Sequence, residues 1–93
     1  MLDLKRLTYL TALYHHRSYT KASEELFVTQ PAISLAVKAL ERQTGIQLLD
    51  RQANGVVFTP EGEQYVLHAQ HILQECEKTE TILQELSTQW QQT

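Results

Sequence analysis

After Gly62 the chain contains neither glycine nor proline. Thr59-Pro60-Glu61 opens this stretch with helix-start chemistry. It has a hydroxyl cap, a proline at the first helical position where its missing N–H does no harm, and an acid in the first turn. Nothing stops the helix before about Trp90, so residues 60–90 form a rod of roughly 46 Å at about 1.5 Å per residue. Along it Ala69, Ile72, Cys76, Thr79, Leu83, Leu86 and Trp90 step alternately by three and four, the spacing of a helix-packing seam. Residues 1–59 are too few to cover so long a rod. Its outer half needs a partner, and a second copy of the same helix is the simplest one. A chain of 93 residues makes at most one compact domain with this appendage, which excludes a multi-domain enzyme.

The front of the chain reads as short helices followed by a hairpin. Leu4, Leu7, Leu10 and Leu13-Tyr14 recur at helical spacing over about 3–16, and His15-His16-Arg17 suits a helix C-terminus. Ser18 or Thr20 caps a second helix running to about Phe27, with Ala22 and Leu26 on its inner face. After Val28, Thr29 caps a third helix with Gln30 and Pro31 in its first turn. Ile33, Val37 and Leu40 form its inner stripe and Thr44-Gly45 its stop. The β-prone runs Ile46–Arg51 and Val56–Thr59 flank Asn54-Gly55, the strongest short hairpin signal. The order of elements predicts a mainly α fold, a winged helix-turn-helix with a two-stranded wing followed by a long helix. Residues 1–59 form the winged unit, with the helix-turn-helix at about 18–37 and the wing at about 46–59; residues 60–90 form a linker and dimerisation helix. A piece ending near Gly62 is expected to be a monomer.

Net charge is −3 overall, which alone weighs against nucleic acid, but the field that matters is local. Residues 1–59 carry a net +2, from Lys5, Arg6, Arg17, Lys21, Lys38, Arg42 and Arg51 against Asp3, Glu24, Glu25, Glu41 and Asp50. The remainder carries −5, Lys78 standing against six glutamates. Cys76 is the single cysteine, so no intrachain disulfide forms. No apolar run approaches the roughly 20 residues of a membrane span, and the N-terminus lacks a signal peptide's apolar block. A cytoplasmic protein that meets no membrane is expected.

Ser18-Tyr19-Thr20-Lys21-Ala22-Ser23-Glu24-Glu25-Leu26 and Val28-Thr29-Gln30-Pro31-Ala32-Ile33-Ser34 resemble the N-terminal domain of LysR-type transcriptional regulators. The likeness continues through Leu40-Glu41, Thr44-Gly45, Leu48-Leu49-Asp50-Arg51 and Phe58-Thr59-Pro60-Glu61-Gly62, in the family's order, and covers residues 2 to about 75. It implies sequence-specific binding of double-stranded DNA with helix three in the major groove. It also implies a linker helix paired antiparallel in a homodimer on an inverted-repeat operator. A small-molecule effector would act only through a C-terminal sensing domain absent from this chain, which looks like a fragment cut after the linker helix. Two positions depart from the family's habit. Leu35 stands where a basic residue often follows the recognition-helix serine, and Arg51 is the only cation in the wing, beside Gln52 and Asn54.

Groove binding needs polar groups on the first turns of helix three, pointing away from the core. Gln30, Ser34 and Lys38 form such a stripe. Gln30 can pair with adenine N6 and N7, Ser34 can donate or accept, and Leu35 or Ala32 can touch a thymine methyl, with the Pro31 ring beside them. Lys38 and Arg51 are the first choices for phosphates, with Thr29 and Ser18 as hydroxyl or helix-terminus donors and Asn54 in the wing. Lys21 and Arg42 are weaker candidates. Few cations predict a shallow salt dependence. Tyr9, Tyr14, Tyr19 and Phe58 sit at core-periodic or turn positions and are expected to pack rather than stack on bases.

No constellation supports an enzyme, a metal or a cofactor. His68 and His71 share a helix face but lack the spacing and the carboxylate base of a zinc motif. Cys76 lies on the helical seam without a partner base. The competing reading is a winged-helix protein-interaction module that works through its acidic long helix.

Overall fold

The computed structural model describes residues 2–92. Its helices are α1 (Leu4–His16), α2 (Tyr19–Leu26), α3 (Gln30–Thr44) and α4 (Pro60–Gln92). Each start is a side-chain cap. Asp3 accepts from the amides of Lys5 and Arg6, Ser18 from Lys21, and Thr29 from Ala32. These caps satisfy amides that have no partner inside the helix. Thr59 serves α4 in the same way, its Oγ1 accepting from Gly62 N at 2.9 Å while donating to the Gln47 carbonyl at 2.6 Å. That hydroxyl ties the start of the long helix to the segment before the wing.

The stops are left-handed residues. Gly45 ends α3 at φ 73°, as its lack of a side chain permits. Arg17 (φ 52°) and Phe27 (φ 56°) end α1 and α2 in the same conformation, which is uncommon for residues with a Cβ. Arg17 is held there on several sides. Its N–H donates to the Leu13 carbonyl, its Nε to the Tyr14 carbonyl at 2.9 Å, and its guanidinium lies 4.4 Å from the Tyr14 ring centroid and 5.4 Å from that of Phe58. Phe27 projects into solvent at 94% exposure.

Leu7, Leu10 and Leu13 of α1, Ile33, Val37 and Leu40 of α3, Leu48 and Val66 are fully buried together. Tyr9, Tyr14, Tyr19 and Phe58 pack in or against this core, Tyr14 meeting Phe58 edge to face at 5.1 Å. The first three turns of α4 belong to it as well: Gly62, Val66 and Ala69 are buried, and Tyr65, Ile72 and Leu73 are half-buried against it. Two expectations change as a result. A boundary at 59/60 cuts through the core, so a piece ending near Gly62 would lose Val66 and Ala69 from its own packing. Ala69, expected on the dimer seam, is 1% exposed inside its own protomer.

Gly62 is required by the close approach of helix and loop. A Cβ there would collide with the Leu48 carbonyl oxygen and lie 2.9 Å from the Leu48 carbonyl carbon. Beyond Leu73, α4 leaves the body. Every residue from 74 to 92 is exposed except the half-buried Cys76, and the molecule extends 60 Å along its longest axis.

The wing is smaller than two strands. Leu49 and Phe58 form an isolated antiparallel bridge, flanked by Asp50 N to Val57 O at 2.8 Å and Thr59 N to Leu48 O at 3.0 Å. The turn is not centred on Asn54-Gly55 either. Gly55 is left-handed at φ 78°, but Asn54 is not among the residues with positive φ, and the two-residue turn that Asn-Gly favours needs both. Asp50 shapes the loop instead: its Oδ1 accepts from Gln52 N at 3.0 Å and its carbonyl from Ala53 N at 3.3 Å. An aspartate that bonds its own backbone two residues on makes a turn without a hairpin register.

Candidate nucleic-acid interface

The interface starts from what the core leaves uncovered on α3. With Ile33, Ala36, Val37 and Leu40 buried, a helix of 3.6 residues per turn turns Pro31, Leu35, Lys38 and Arg42 outward. All four are exposed, Leu35 at 65%. Thr29 is exposed at the cap, and Ala32 and Ser34 are half-buried on either side of the outward stripe. Pro31, Ala32, Ser34, Leu35 and Lys38 therefore share one accessible surface over the N-terminal half of the helix, where side chains of a groove-bound helix reach base edges.

Gln30 belongs to the flank rather than the crest. Its Nε2 donates to Thr20 Oγ1 of α2 at 3.1 Å. This bond crosses the helix-turn-helix and orients the amide. Thr20 was readable only as a possible cap for α2, whose actual cap is Ser18; a bond across ten residues and a turn leaves no local pattern. Ser18 and Thr29 keep their hydroxyls on the amides of Lys21 and Ala32, at 3.1 and 3.2 Å.

Arg51 has a partner of its own. Its Nη2 lies 2.6 Å from Glu41 Oε1, and the other oxygen of that carboxylate accepts from Leu48 N at 2.8 Å and Leu49 N at 3.4 Å. Glu41 is only 17% exposed on its side chain. It holds the wing to the end of α3 and fixes the cation of the wing beside the outer face. The sequence pattern places Arg51 on phosphate without this clasp, because Glu41 and Arg51 are ten residues apart with a turn between them. Asn54 is exposed at the far end of the wing. Lys38 is exposed at the edge of an open groove whose other lining residues are Glu41, Arg42, Gly45, Ile46 and Gln47.

On α4 the residues expected on a dimer seam from Ile72 outward lie outside the protomer's core. Ile72, Cys76 and Thr79 line an open groove with His71, Glu75 and Glu80. Further along, Leu83 and Leu86 are exposed at 57% and 53%, and Ile82 and Trp90 are exposed as well. His68 and His71 stand edge to face, 6.4 Å between ring centroids. Among the described residues no group of three or more His, Cys, Asp and Glu side chains could hold a metal ion. No helix among them is long and apolar enough to cross a membrane.

A helix-turn-helix with a capped, uncovered third helix, a short wing and a protruding long helix defines a class of DNA-binding regulatory domain. Residues 4–63 match the family model described as "Bacterial regulatory helix-turn-helix protein, lysR family", and the chain belongs to this family. It is 37% identical over 90 residues to the HTH-type transcriptional regulator YraN of Bacillus subtilis, an alignment covering 97% of this chain and 31% of that protein. It is 38% identical over 85 residues to a probable RuBisCO transcriptional regulator of Trieres chinensis, covering 91% of this chain and 28% of that protein. The chain thus spans about a third of the length of these relatives. Among solved structures, the BenM DNA-binding domain in complex with benA site 1 DNA superimposes with a TM-score of 0.87 at 31% identity, covering 92% of this chain and 97% of that one.

Proposed function

We propose that this chain is the sequence-reading module of a LysR-type transcriptional regulator. It inserts α3 into the major groove of double-stranded DNA and works as a homodimer on an inverted repeat. The observation that carries this is the outer face of α3. Pro31, Leu35 and Lys38 are exposed and no other part of the described chain lies over them. Gln30, steadied by Thr20, keeps its amide oxygen for a donor such as adenine N6, and Ser34 accepts or donates beside it. Lys38, Arg51 and Asn54, with the caps at Ser18 and Thr29, position the module on phosphates.

The dimer uses α4 through Ile72, Cys76, Thr79, Leu83, Leu86 and Trp90, without Ala69. A second copy covers the apolar side chains that one protomer leaves in solvent. The protein works in the cytoplasm and is not an enzyme. An effector acts through a sensing domain beyond these residues. The acidic, exposed outer half of α4 also suits a second reading, a protein-docking module that does not use α3.

Selection of duplexes from random-sequence DNA, followed by fluorescence anisotropy at several salt concentrations, tests the proposal. Expected is a preference for the selected duplex over its scrambled counterpart. The pair Gln30→Ala with Ser34→Ala should remove that preference, at about 1–3 kcal/mol per base contact, while sedimentation still shows a dimer. No preference at any salt sinks the proposal. An α3 pair without effect, in a chain whose partners depend on α4, decides for the docking module.

A further inference from the structure

The two flanks of α3 carry different neighbours. On one flank Gln30 reaches Thr20 of α2 and Glu41 clasps Arg51 of the wing. On the other, the first turns of α1 run alongside. Asp3, Lys5, Arg6 and Tyr9 line, with Ala32, Leu35 and Ala36, an open groove of about 340 Å³. Leu35 is common to this groove and to the outward face, so the start of α1 stands beside the surface proposed to meet DNA.

Lys5 and Arg6 are both exposed there. The one acid in the groove is already engaged. Asp3 caps α1, its Oδ1 3.0 Å from Lys5 N and 3.3 Å from Arg6 N, and its Oδ2 lies 3.6 Å from Arg6 Nε. The Asp3–Arg6 pair is between side chains 44–45% exposed, a class worth about 0–1 kcal/mol, so the guanidinium swings away at little cost. Lys5 Nζ sits 6.0 Å from the Tyr9 ring centroid, and among the described residues no carboxylate pairs with it. The groove holds a net positive charge with two movable cations.

The dimensions of duplex DNA supply the rest. The major groove is about 12 Å wide and a helix with its side chains about 10–12 Å across. A helix seated there has a wall of phosphates on each flank, within reach of a lysine or arginine. Arg51 and Asn54 serve the wing side. We infer that Lys5 and Arg6 of α1 contact phosphates on the opposite wall. They supply on that flank the positive charge that Leu35 lacks, and α1 becomes a positioning element for DNA as well as a core helix. This inference rests on the placement of α3 proposed above.

The test is the variant Lys5→Gln with Arg6→Gln in the 93-residue chain. It is titrated by fluorescence anisotropy against a selected duplex and against a random-sequence duplex, each across a salt series. Binding to both is expected to weaken alike. The slope of log K against log[salt] should become shallower by roughly 0.9 for each phosphate no longer neutralised, or about 3.6 for a dimer that releases four. Lys5→Gln alone leaves the Asp3–Arg6 pair in place and should produce about half of that change, and Lys5→Arg should restore the full slope. The single variant carries the test if the double variant fails to show helical circular dichroism. An unchanged slope in a folded, dimeric variant overturns the inference, as does weakening confined to the selected duplex, which would mean base reading. A parent chain that binds neither duplex overturns the major-groove reading and this inference together; a parent that binds with a slope indifferent to Lys5 and Arg6 overturns only the latter.

Discussion

The two halves of α4 share one helix and one hydrophobic rhythm, yet their surroundings are opposite. In the first half Gly62, Val66 and Ala69 are buried against the rest of the protomer; in the second Ile82, Leu83 and Leu86 are more than half exposed. The rhythm of apolar positions states that a helix face will be covered but does not name the cover. The near half completes a core that α1 and α3 cannot close alone. The far half leaves its apolar side chains in solvent. If the proposed dimer forms there, removing apolar packing from the near half should unfold a protomer, and removing it from the far half should separate protomers.

The largest effect should come from splitting the far half. Leu83→Asp with Leu86→Asp should give monomers in sedimentation while leaving the thermal transition of the front intact. Two linked modules gain on the order of 10²–10⁴ in apparent affinity over one, so binding to a selected duplex should fall by about that factor. A variant that stays dimeric would show that the far half is not the dimer surface. A variant that unfolds would erase the difference between the halves.

The near half is probed by Gly62→Ala. The new methyl meets the Leu48 backbone, which cannot rotate out of the way as a flexible side chain could. A loss of about 1–3 kcal/mol is expected, read as a lower midpoint in urea unfolding with the dimer otherwise unchanged. A neutral result would mean that α4 and the loop before the wing are not locked together.

The smallest effect sharpens the same junction. The Tyr65 hydroxyl is buried and among the described residues has no hydrogen-bond partner, and burial raises its pKa above the usual 10.0. A buried donor left unmade costs about 1–3 kcal/mol, so Tyr65→Phe should stabilise the chain by up to about 1 kcal/mol. The sign of the pH dependence follows. A raised folded-state pKa contributes stability that is fully present below pH 10.0 and is lost as pH rises through the folded value. Alkaline unfolding of the Phe variant should therefore begin at higher pH. A destabilised variant would show that the hydroxyl has a partner.

Much of the fold was legible because its signals are local. Ser18, Thr29-Gln30-Pro31, Gly45 and Thr59-Pro60 each act within one turn of the chain, and each marks an element boundary. The outward position of Lys38 was legible for the same reason, since the buried stripe of Ile33, Val37 and Leu40 leaves one opposite face, but the crest of that face runs through Pro31 and Leu35 rather than Gln30 and Ser34. The sequence hides structure where a residue's partner is distant along the chain. Asn54-Gly55 has strong turn propensity, yet Asp50 shapes the loop. Arg51 reads in the sequence as a phosphate contact, and nothing local announces that Glu41 clasps it. Gln30 lies on the flank by helix phase, and its bond to Thr20 across the turn leaves no local pattern.

Caps, stops and periodicity follow from backbone geometry and side-chain chemistry within a few residues, so the amino-acid order alone determined the four helices and that α3 has one face turned from the core. The tertiary structure decided which apolar faces meet inside one protomer. It put Ala69 in the core and left Leu83 in solvent, laid the first turns of α1 beside α3, and bound the wing through Glu41. Burial and charge pairing depend on distances in space, and those exist only once the chain has closed on itself.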